Sequence, residues 1–231
     1  MSLLPTKPTP VKQDPRDLIT VIYGPPKIGK STFCAQADGA LFIATEPGLN
    51  HLEVSQVPVQ SWSELGQVAA EVAGGKHDFR TVVVDTMDVA YEMCLEHVCA
   101  KHGIEHPGDM PHGKGWGLVT SEFKRVISKL ARLPYGLILT SHTKNVEEQT
   151  RTGEYIRTVP SLGGKAGEAV RAMADVILYA TTDAEGNRII QTKPHRDYIA
   201  GDRTGTLPDP LPLDYTKFAA AFKGKGKKKT K

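Results

Sequence analysis

The sequence contains few cysteines, no apolar run long enough to span a membrane and no N-terminal segment that resembles a secretion signal. Its three cysteines are odd in number and form no C-x-x-C pair, which argues against a disulfide framework and fits a reducing compartment. The longest apolar runs, such as 81–85 and 136–140, are far shorter than a membrane span. Residues 1–15 contain prolines and lysines where a secretion signal has a continuous apolar segment. We therefore expect a cytoplasmic protein with no membrane partner.

A strong charge of one sign is also missing, except at the C-terminal end. The formal net charge is +3, but six lysines within 223–231 supply +6 and leave −3 for the rest. A glycine- and lysine-rich tail cannot bury a core, so we expect residues 223–231 to be disordered. The tail could hold an anionic polymer, or it could be only a solubilising end. Residues 1–16 are expected to form a flexible, proline-rich arm and residues 17–222 the folded core.

The chain has the size of one α/β domain, since its 231 residues are 39% hydrophobic and can bury a sizeable core. Four residues could suggest a zinc site: Cys94, His97, Cys99 and His102. They fall on different faces of one predicted helix, which favours ordinary helix positions over a metal site.

A complete phosphate loop is the most informative feature of the chain. Residues 24–31 read Gly-Pro-Pro-Lys-Ile-Gly-Lys-Ser, with an apolar strand before them and a predicted helix after them. The glycines let backbone N–H groups approach phosphate oxygens, and the helix adds its positive N-terminal end. Lys30 is expected to reach the β- and γ-phosphates, and Ser31 to offer its hydroxyl to Mg²⁺. The predicted ATP-binding residues are Gly24, Pro25, Pro26, Lys27, Ile28, Gly29, Lys30, Ser31 and Thr32.

Apolar segments alternate with helical patterns along the rest of the core. Buried strands are predicted over 18–23, 40–44, 81–85, 136–140, 176–179 and 189–192, with a short one at 57–59. Helices are predicted near 30–37, 62–73, 89–102, 119–133 and 168–174. Continuously apolar strands between helices indicate a mostly parallel, twisted sheet covered on both faces. Two long polar connections remain, over 103–117 and 143–161.

Polar residues follow three of these strands, at the sheet edge where ligands gather. Asp85 ends the strand over 81–85 and is expected to hold Mg²⁺ through water. Glu46 follows the strand after the phosphate-loop helix, where a carboxylate can orient or deprotonate the attacking water. His142 could contact the γ-phosphate and move when it leaves. The alternatives are a strand-ending aspartate, a solvated loop glutamate and a satisfied core histidine.

Together these stretches resemble the RecA-type P-loop ATPase core, and specifically the short single-domain phage proteins of the Sak class of recombinases and annealing proteins. The segments that carry the resemblance are 24–31, 45–48, 85–86, 140–142 and 163–166. It covers roughly residues 17–200 and implies a RecA-like α/β fold. It also implies that Glu46 activates water, that His142 senses the γ-phosphate, and that 103–117 and 143–165 face DNA. Bacterial recombinases commonly carry glutamine at the position of His142.

Cations and one aromatic side chain in the two long segments suit a single-stranded nucleic-acid backbone. The candidate DNA-binding residues are Lys114, Trp116, Lys144, Arg151, Arg157 and Lys165. Three glutamates dilute the charge of the second segment, so a plain solvated loop is the alternative.

Two further features concern assembly. The resemblance implies that Lys193 and Arg196 reach the γ-phosphate of a neighbouring subunit as an arginine finger does, with ordinary surface cations as the alternative. Residues 218–221 match the F-x-x-A assembly motif of eukaryotic and archaeal recombinases, a match short enough to arise by chance.

The leading hypothesis is a phage-encoded, Mg²⁺-dependent ATPase of the host cytoplasm that binds single-stranded DNA and promotes annealing or strand exchange. It is expected to form a ring or filament with ATP between subunits, and a single-strand-binding protein is a candidate partner. One alternative is a switch or clock-type ATPase that is indifferent to nucleic acid. The other is a small-molecule P-loop kinase, which Glu46 disfavours because it would promote wasteful hydrolysis.

Overall fold

A computed structural model describes residues 4–8, 10–150 and 153–223 of the chain. The strands are β1 (Ile19–Tyr23), β2 (Ala40–Ala44), β3 (Ser55–Pro58), β4 (Thr81–Asp85), β5 (Gly136–Ser141), β6 (Thr143–Thr150), β7 (Gly153–Pro160), β8 (Val176–Thr182), β9 (Arg188–Gln191), β10 (Gly201–Asp202) and β11 (Leu211–Pro212). The helices are α1 (Lys30–Ala35), α2 (Trp62–Ala73), α3 (Met87–His102), α4 (Lys114–Leu130), α5 (Gly164–Met173) and α6 (Tyr215–Lys223). None of these helices is long and apolar enough to cross a membrane.

The main sheet has the strand order β11-β9-β8-β1-β5-β4-β2-β3, with β10 also paired to β8. The six strands from β8 to β3 are parallel, and β9 and β10 run antiparallel to β8. This arrangement confirms the predicted α/β fold with a mostly parallel sheet. Because β1 lies between β5 and β8, the loop that follows it emerges at the middle of the carboxyl edge of the sheet.

Helices cover both faces of the sheet, which explains why its strands are continuously apolar. Val82 and Val84 of β4 join one core cluster with α2, α3, α4 and α5, whereas Val83 joins the other with α1 and α6. The apolar face predicted for α4 is confirmed, since its residues at 119, 123, 126, 127 and 130 are buried. The sheet is therefore held rigidly from both sides, and its carboxyl edge is left for polar residues.

The second long polar segment is not a loop, as the sequence led us to expect. Residues 143–150 and 153–160 pair as an antiparallel hairpin of β6 and β7, in continuous register from Thr143 opposite Pro160 to Thr150 opposite Gly153. Of the side chains that the structure describes in this two-stranded ribbon, only Val159 and Pro160 at the end of β7 are buried, and the ribbon lacks the apolar alternation that marks a half-buried strand. Its sequence therefore looks like that of a loop. The first segment contains short 3₁₀ turns at Pro107–Asp109 and Pro111–Gly113, and α4 begins at Lys114.

The two ends of the core also differ in detail from the sequence reading. Pro15–Asp17 form a 3₁₀ turn with Pro15 buried, so ordered structure begins inside the segment predicted as an arm. At the other end, residues 224–231 of the lysine-rich tail lie outside the described part of the chain. The F-x-x-A match is not available to a neighbouring subunit, because Phe218 is fully buried against Phe33 of its own chain.

Candidate nucleotide site and adjoining groove

The phosphate loop joins β1 to α1 and has two positions, Gly24 and Gly29, at which the backbone favours glycine. Gly29 is the N-cap of α1 with φ 113°, in the left-handed region that favours glycine. A side chain at Gly24 would place its Cβ 2.6 Å from the carbonyl oxygen of Ala180 in β8. Both glycines of the motif are therefore required by the local geometry.

Lys30 folds back across the phosphate loop and is 7% exposed. Its Nζ donates to the carbonyl oxygens of Gly24, at 2.9 Å, and Pro25, at 3.1 Å. Burial lowers the pKa of Lys30, while the nearby carboxylates of Asp85 and Asp88 oppose that shift. The ammonium thus rests on neutral oxygens that a phosphate group can replace.

Three hydroxyl and carboxylate groups meet beside the loop. Ser31 Oγ donates to Asp85 Oδ2 at 2.7 Å, and Thr140 Oγ1 of β5 donates to Asp85 Oδ1 at 2.5 Å. Asp85 is buried, and all of these donor atoms are oxygens. Oxygen donors of this kind suit Mg²⁺, so the residues present fit the ion, with Ser31 and Asp85 as the groups that would hold it. When bound, Mg²⁺ would neutralise phosphate charge.

Glu46 and His142 face each other at the same sheet edge. Glu46 follows the end of β2, and Thr45 Oγ1 bonds both the backbone N–H and the carbonyl of Thr86, which joins the ends of β2 and β4. Glu46 Oε1 lies 3.9 Å from Nε2 of His142. Burial raises the pKa of Glu46, and His142 opposes that shift. A half-buried carboxylate with a raised pKa is a suitable proton acceptor for a water molecule.

Asp88, in the first turn of α3, is a site residue that the sequence analysis missed. Its carboxylate accepts from Ser141 Oγ and from the backbone N–H of His142, both at 2.7 Å. It also lies 3.4 Å from Nδ1 of His142, so the ring is placed between Asp88 and Glu46. One feature of the sequence could have identified Asp88. It is an acid three residues after Asp85, in the first turn of a helix that starts at the same edge of the sheet.

The comparison with known families agrees with this geometry, since the AAA domain family matches residues 16–204. This chain belongs to the AAA domain family. Members of that family are P-loop ATPases. The chain is also similar to the SPbeta prophage-derived uncharacterized protein YorG of Bacillus subtilis (strain 168), with 25% identity over 130 residues. That match covers 54% of this chain and only 40% of the relative.

The AAA domain has a groove of about 650 Å³ beside the nucleotide site, which we call the Trp116 groove. It is lined by residues of α3, α4, β6 and α5, among them Asp88, Trp116, Lys144 and Lys165. Three of the predicted DNA-binding residues, one from the first long segment and two from the second, therefore meet in one groove. Lys144 also packs closely against Gly163, where an added Cβ would lie 2.5 Å from its Nζ.

Of the other three predicted DNA-binding residues, the two that the structure describes, Lys114 and Arg157, do not line the Trp116 groove. Lys114 is exposed at the start of α4. Arg157 forms an ion pair with Glu148 across the hairpin, at 3.3 Å. Arg151 lies outside the described residues.

The proposed finger residues have contacts within their own domain. Lys193 Nζ lies 3.6 Å from Asp202, whose side chain is buried, and the Arg196 guanidinium lies 4.5 Å from the ring centre of Tyr155. A different cation, Arg188 of β9, lies beside the phosphate loop, with Nη1 3.3 Å from the position that a Cβ would take at Gly29. No pattern in the sequence selects Arg188, because its position beside Gly29 depends on the antiparallel pairing of β9 with β8.

The four residues considered for zinc do not form a metal site in the AAA domain. Cys94 and Cys99 are buried in α3. Across the described ranges, no group of three or more histidine, cysteine or acidic side chains is placed to hold a metal ion.

Proposed function

We propose that this AAA domain is a phage-encoded RecA-like ATPase that uses Mg²⁺ and ATP to control its grip on single-stranded DNA. One observation carries the proposal: Asp88 lines the Trp116 groove and also contacts the backbone N–H and the ring of His142 at the nucleotide site. The similarity to a prophage-derived protein supports the phage origin. By the resemblance to the Sak class, the reaction it promotes is strand annealing or exchange.

In the hydrolysis reaction, each residue at the sheet edge has a distinct part. Lys30 would exchange its carbonyl contacts for phosphate oxygens, and Ser31 and Asp85 would hold Mg²⁺. Glu46 accepts the proton of the attacking water, which its raised pKa favours. His142 contacts the γ-phosphate from the neighbouring strand end. This set suits transfer of a phosphoryl group to water rather than to a small-molecule acceptor.

The Trp116 groove has the chemistry of a single-strand binding site. Lys144 and Lys165 supply cations for phosphates, and Trp116, 42% exposed, supplies a ring on which a base can stack. Stacking and phosphate contacts read little sequence, so we expect binding with weak base preference and strong salt dependence. Lys114, exposed at the start of α4, extends the positive charge beyond the groove.

Assembly is part of the same proposal and rests on the resemblance. A head-to-tail ring or filament would place ATP at subunit interfaces in the host cytoplasm, with a single-strand-binding protein as a further partner. For Lys193 or Arg196 to reach a neighbour's γ-phosphate, each must leave its present contact with Asp202 or Tyr155. Assembly with ATP would have to supply that rearrangement.

One observation favours a second function, that of a nucleic-acid-independent switch ATPase. Residues 143–160 carry three acids, Glu147, Glu148 and Glu154, which balance the three bases Lys144, Arg151 and Arg157 and leave no net charge. A ribbon without net positive charge suits a protein partner better than a phosphate backbone. This second function predicts nucleotide-dependent assembly that is unaffected by DNA.

The test is ATP turnover of the full chain with and without an unstructured oligonucleotide, together with fluorescence anisotropy of the labelled oligonucleotide at low salt. The proposal predicts tight binding and stimulated turnover. Turnover without stimulation and without binding would favour the switch ATPase. Product from a panel of nucleosides would instead support a kinase.

A further inference from the structure

Asp88 has more contacts to the end of β5 than an ordinary first-turn acid needs. Its side chain is only 12% exposed, and its two carboxylate oxygens accept from Ser141 Oγ and from the backbone N–H of His142. The same carboxylate faces Nδ1 of His142. One acid thus fixes the backbone and the ring of the residue that faces Glu46.

The contacts continue from Ser141 to the far end of the hairpin. Ser161, which follows β7, donates its backbone N–H to Ser141 Oγ at 3.2 Å and to the carbonyl of His142 at 2.8 Å. Ser161 and Asp88 also line the Trp116 groove. A single network therefore joins Glu46, through His142 and Asp88, to both ends of the hairpin and to the wall of the groove.

We propose that Asp88 is a positioning residue that couples the nucleotide state of the phosphate loop to the shape of the Trp116 groove. This inference rests on the proposed function, because it takes His142 to respond to the γ-phosphate. When the His142 ring moves, the contacts of Asp88 with Ser141 and His142 cannot all persist. Since Ser141 Oγ also holds Ser161, the hairpin end and the groove wall must shift with the ring.

The substitution Asp88→Asn separates this role from simple packing. It preserves the size of the side chain but replaces one acceptor oxygen with an NH₂ group, which cannot accept from the Ser141 hydroxyl or the His142 N–H. The matched control is Glu96→Gln, an equally small change on the same helix at an exposed position that does not line the Trp116 groove.

Trp116 itself reports on the groove. Its fluorescence is isolated as the difference between each protein and the same protein carrying Trp116→Phe, which removes the contribution of buried Trp62. The difference signal is recorded with Mg²⁺ and either ADP or a non-hydrolysable ATP analogue, and nucleotide affinity is measured in parallel. No oligonucleotide is present, so the result does not depend on DNA binding.

We expect the Trp116 signal to differ between the two nucleotides in the wild type and after Glu96→Gln. After Asp88→Asn we expect this difference to shrink by about fivefold or more, the scale of an ordinary coupling free energy, while nucleotide affinity is retained. A purely structural role would change affinity or folding without abolishing the distinction between nucleotides. An unchanged difference after Asp88→Asn, or no difference in the wild type, overturns the proposal.

A second variant covers the case in which Asp88→Asn fails to fold. Ser141→Ala removes the hydroxyl that links Asp88 to Ser161, and it too is expected to abolish the nucleotide dependence of the Trp116 signal. A full wild-type signal in Ser141→Ala would then overturn the proposal. Failure of the DNA function looks different: the wild type would not retain the oligonucleotide, yet the Trp116 signal would still respond to nucleotide through Asp88.

Discussion

The Ser31 hydroxyl donates a 2.7 Å hydrogen bond to Asp85, joining the phosphate loop to the end of a strand 54 residues further along the chain. In this arrangement the proton of Ser31 points at the carboxylate that would hold Mg²⁺. For both oxygens to serve the ion, the hydroxyl must turn its lone pair toward the position between them. Metal binding and rearrangement of this pair are therefore linked.

Asp85→Asn tests that link. An amide keeps the shape but removes the negative charge, so we expect the Mg²⁺ concentration for half-maximal turnover to rise by about 10–100-fold. The measurement is a Mg²⁺ titration of ATP turnover. Asp78→Asn, at an exposed position, is the control and should leave the titration unchanged. Equal titrations for wild type and Asp85→Asn would remove Asp85 from the metal site.

Glu46→Gln tests the proton acceptor. Because glutamine cannot accept the proton of the attacking water, we expect turnover to fall by about 10²–10⁴-fold. Binding of ATP is expected to persist, since Lys30 and the loop backbone are unchanged. The measurements are steady-state turnover and nucleotide affinity by titration. Turnover close to that of the wild type would exclude this role for Glu46.

Replacement of the two lysines of the Trp116 groove tests the binding surface. With Lys144→Ala and Lys165→Ala combined, two phosphate contacts are lost, and the slope of log affinity against log salt should become shallower by about 1.4 for a single strand. Anisotropy of a labelled oligonucleotide across a salt series measures it. Lys124→Ala, on the same helix as Trp116 but outside the groove, should keep the wild-type slope. An unaltered slope in the double variant would place the DNA elsewhere.

Phe218→Ala distinguishes a core residue from an assembly motif. The side chain is fully buried against Phe33 and Tyr215, so its loss should lower the free energy of unfolding by about 3–5 kcal/mol. Urea denaturation of wild type, Phe218→Ala and the neighbouring exposed Lys217→Ala provides the comparison. A variant with wild-type stability but impaired self-assembly would instead support the F-x-x-A motif.

Glu122 of α4 gives the fold a pH-dependent contribution. Hydrogen bonds from Arg125 and then from Trp62 lower the pKa of Glu122 to about 2, although burial opposes the shift. A lowered pKa stabilises the fold above the unfolded value of about 4.5, and this stability is lost as the pH falls towards 2.

Because Arg125 is half exposed and water screens the pair, we expect Glu122→Gln to cost about 1 kcal/mol at pH 7. We expect the difference in free energy of unfolding between wild type and Glu122→Gln, measured by denaturation, to be smaller at pH 3 than at pH 7. Exposed Glu96→Gln should show no such difference. A difference that widens in acid would contradict the lowered pKa.

The sequence correctly predicted which residues lie at the carboxyl edge of the sheet, because the end of a continuous apolar run marks the end of a buried parallel strand. Asp85, Glu46 and His142 each follow such a run, and the structure brings all three to one edge. The roles assigned to them stay predictions. Asp88 was not predicted because its role depends on contacts with Ser141 and His142, more than 50 residues away. No local pattern in the sequence indicates those contacts.

The hairpin and the contacts of Lys193 and Arg196 were harder to predict from the sequence, for a related reason. β6 and β7 bury no continuous apolar face, so the periodicity that identifies a half-buried strand is missing. Likewise, no local pattern shows that Lys193 and Arg196 have partners. In the fold, Lys193 contacts the buried carboxylate of Asp202 and Arg196 lies over the ring of Tyr155. In both cases the contacts made in the folded chain, rather than local propensity, decide the outcome.

The hairpin is joined to the carboxyl edge of the sheet at its base, through His142 before β6 and Ser161 after β7, while the pair of Thr150 and Gly153 lies seven register positions from the first pair. Residue pairs added or removed at that far end do not alter the spacing of Glu46, Asp85 and the phosphate loop. The far end of the hairpin can therefore change in length and composition while the geometry of the nucleotide site stays as it is.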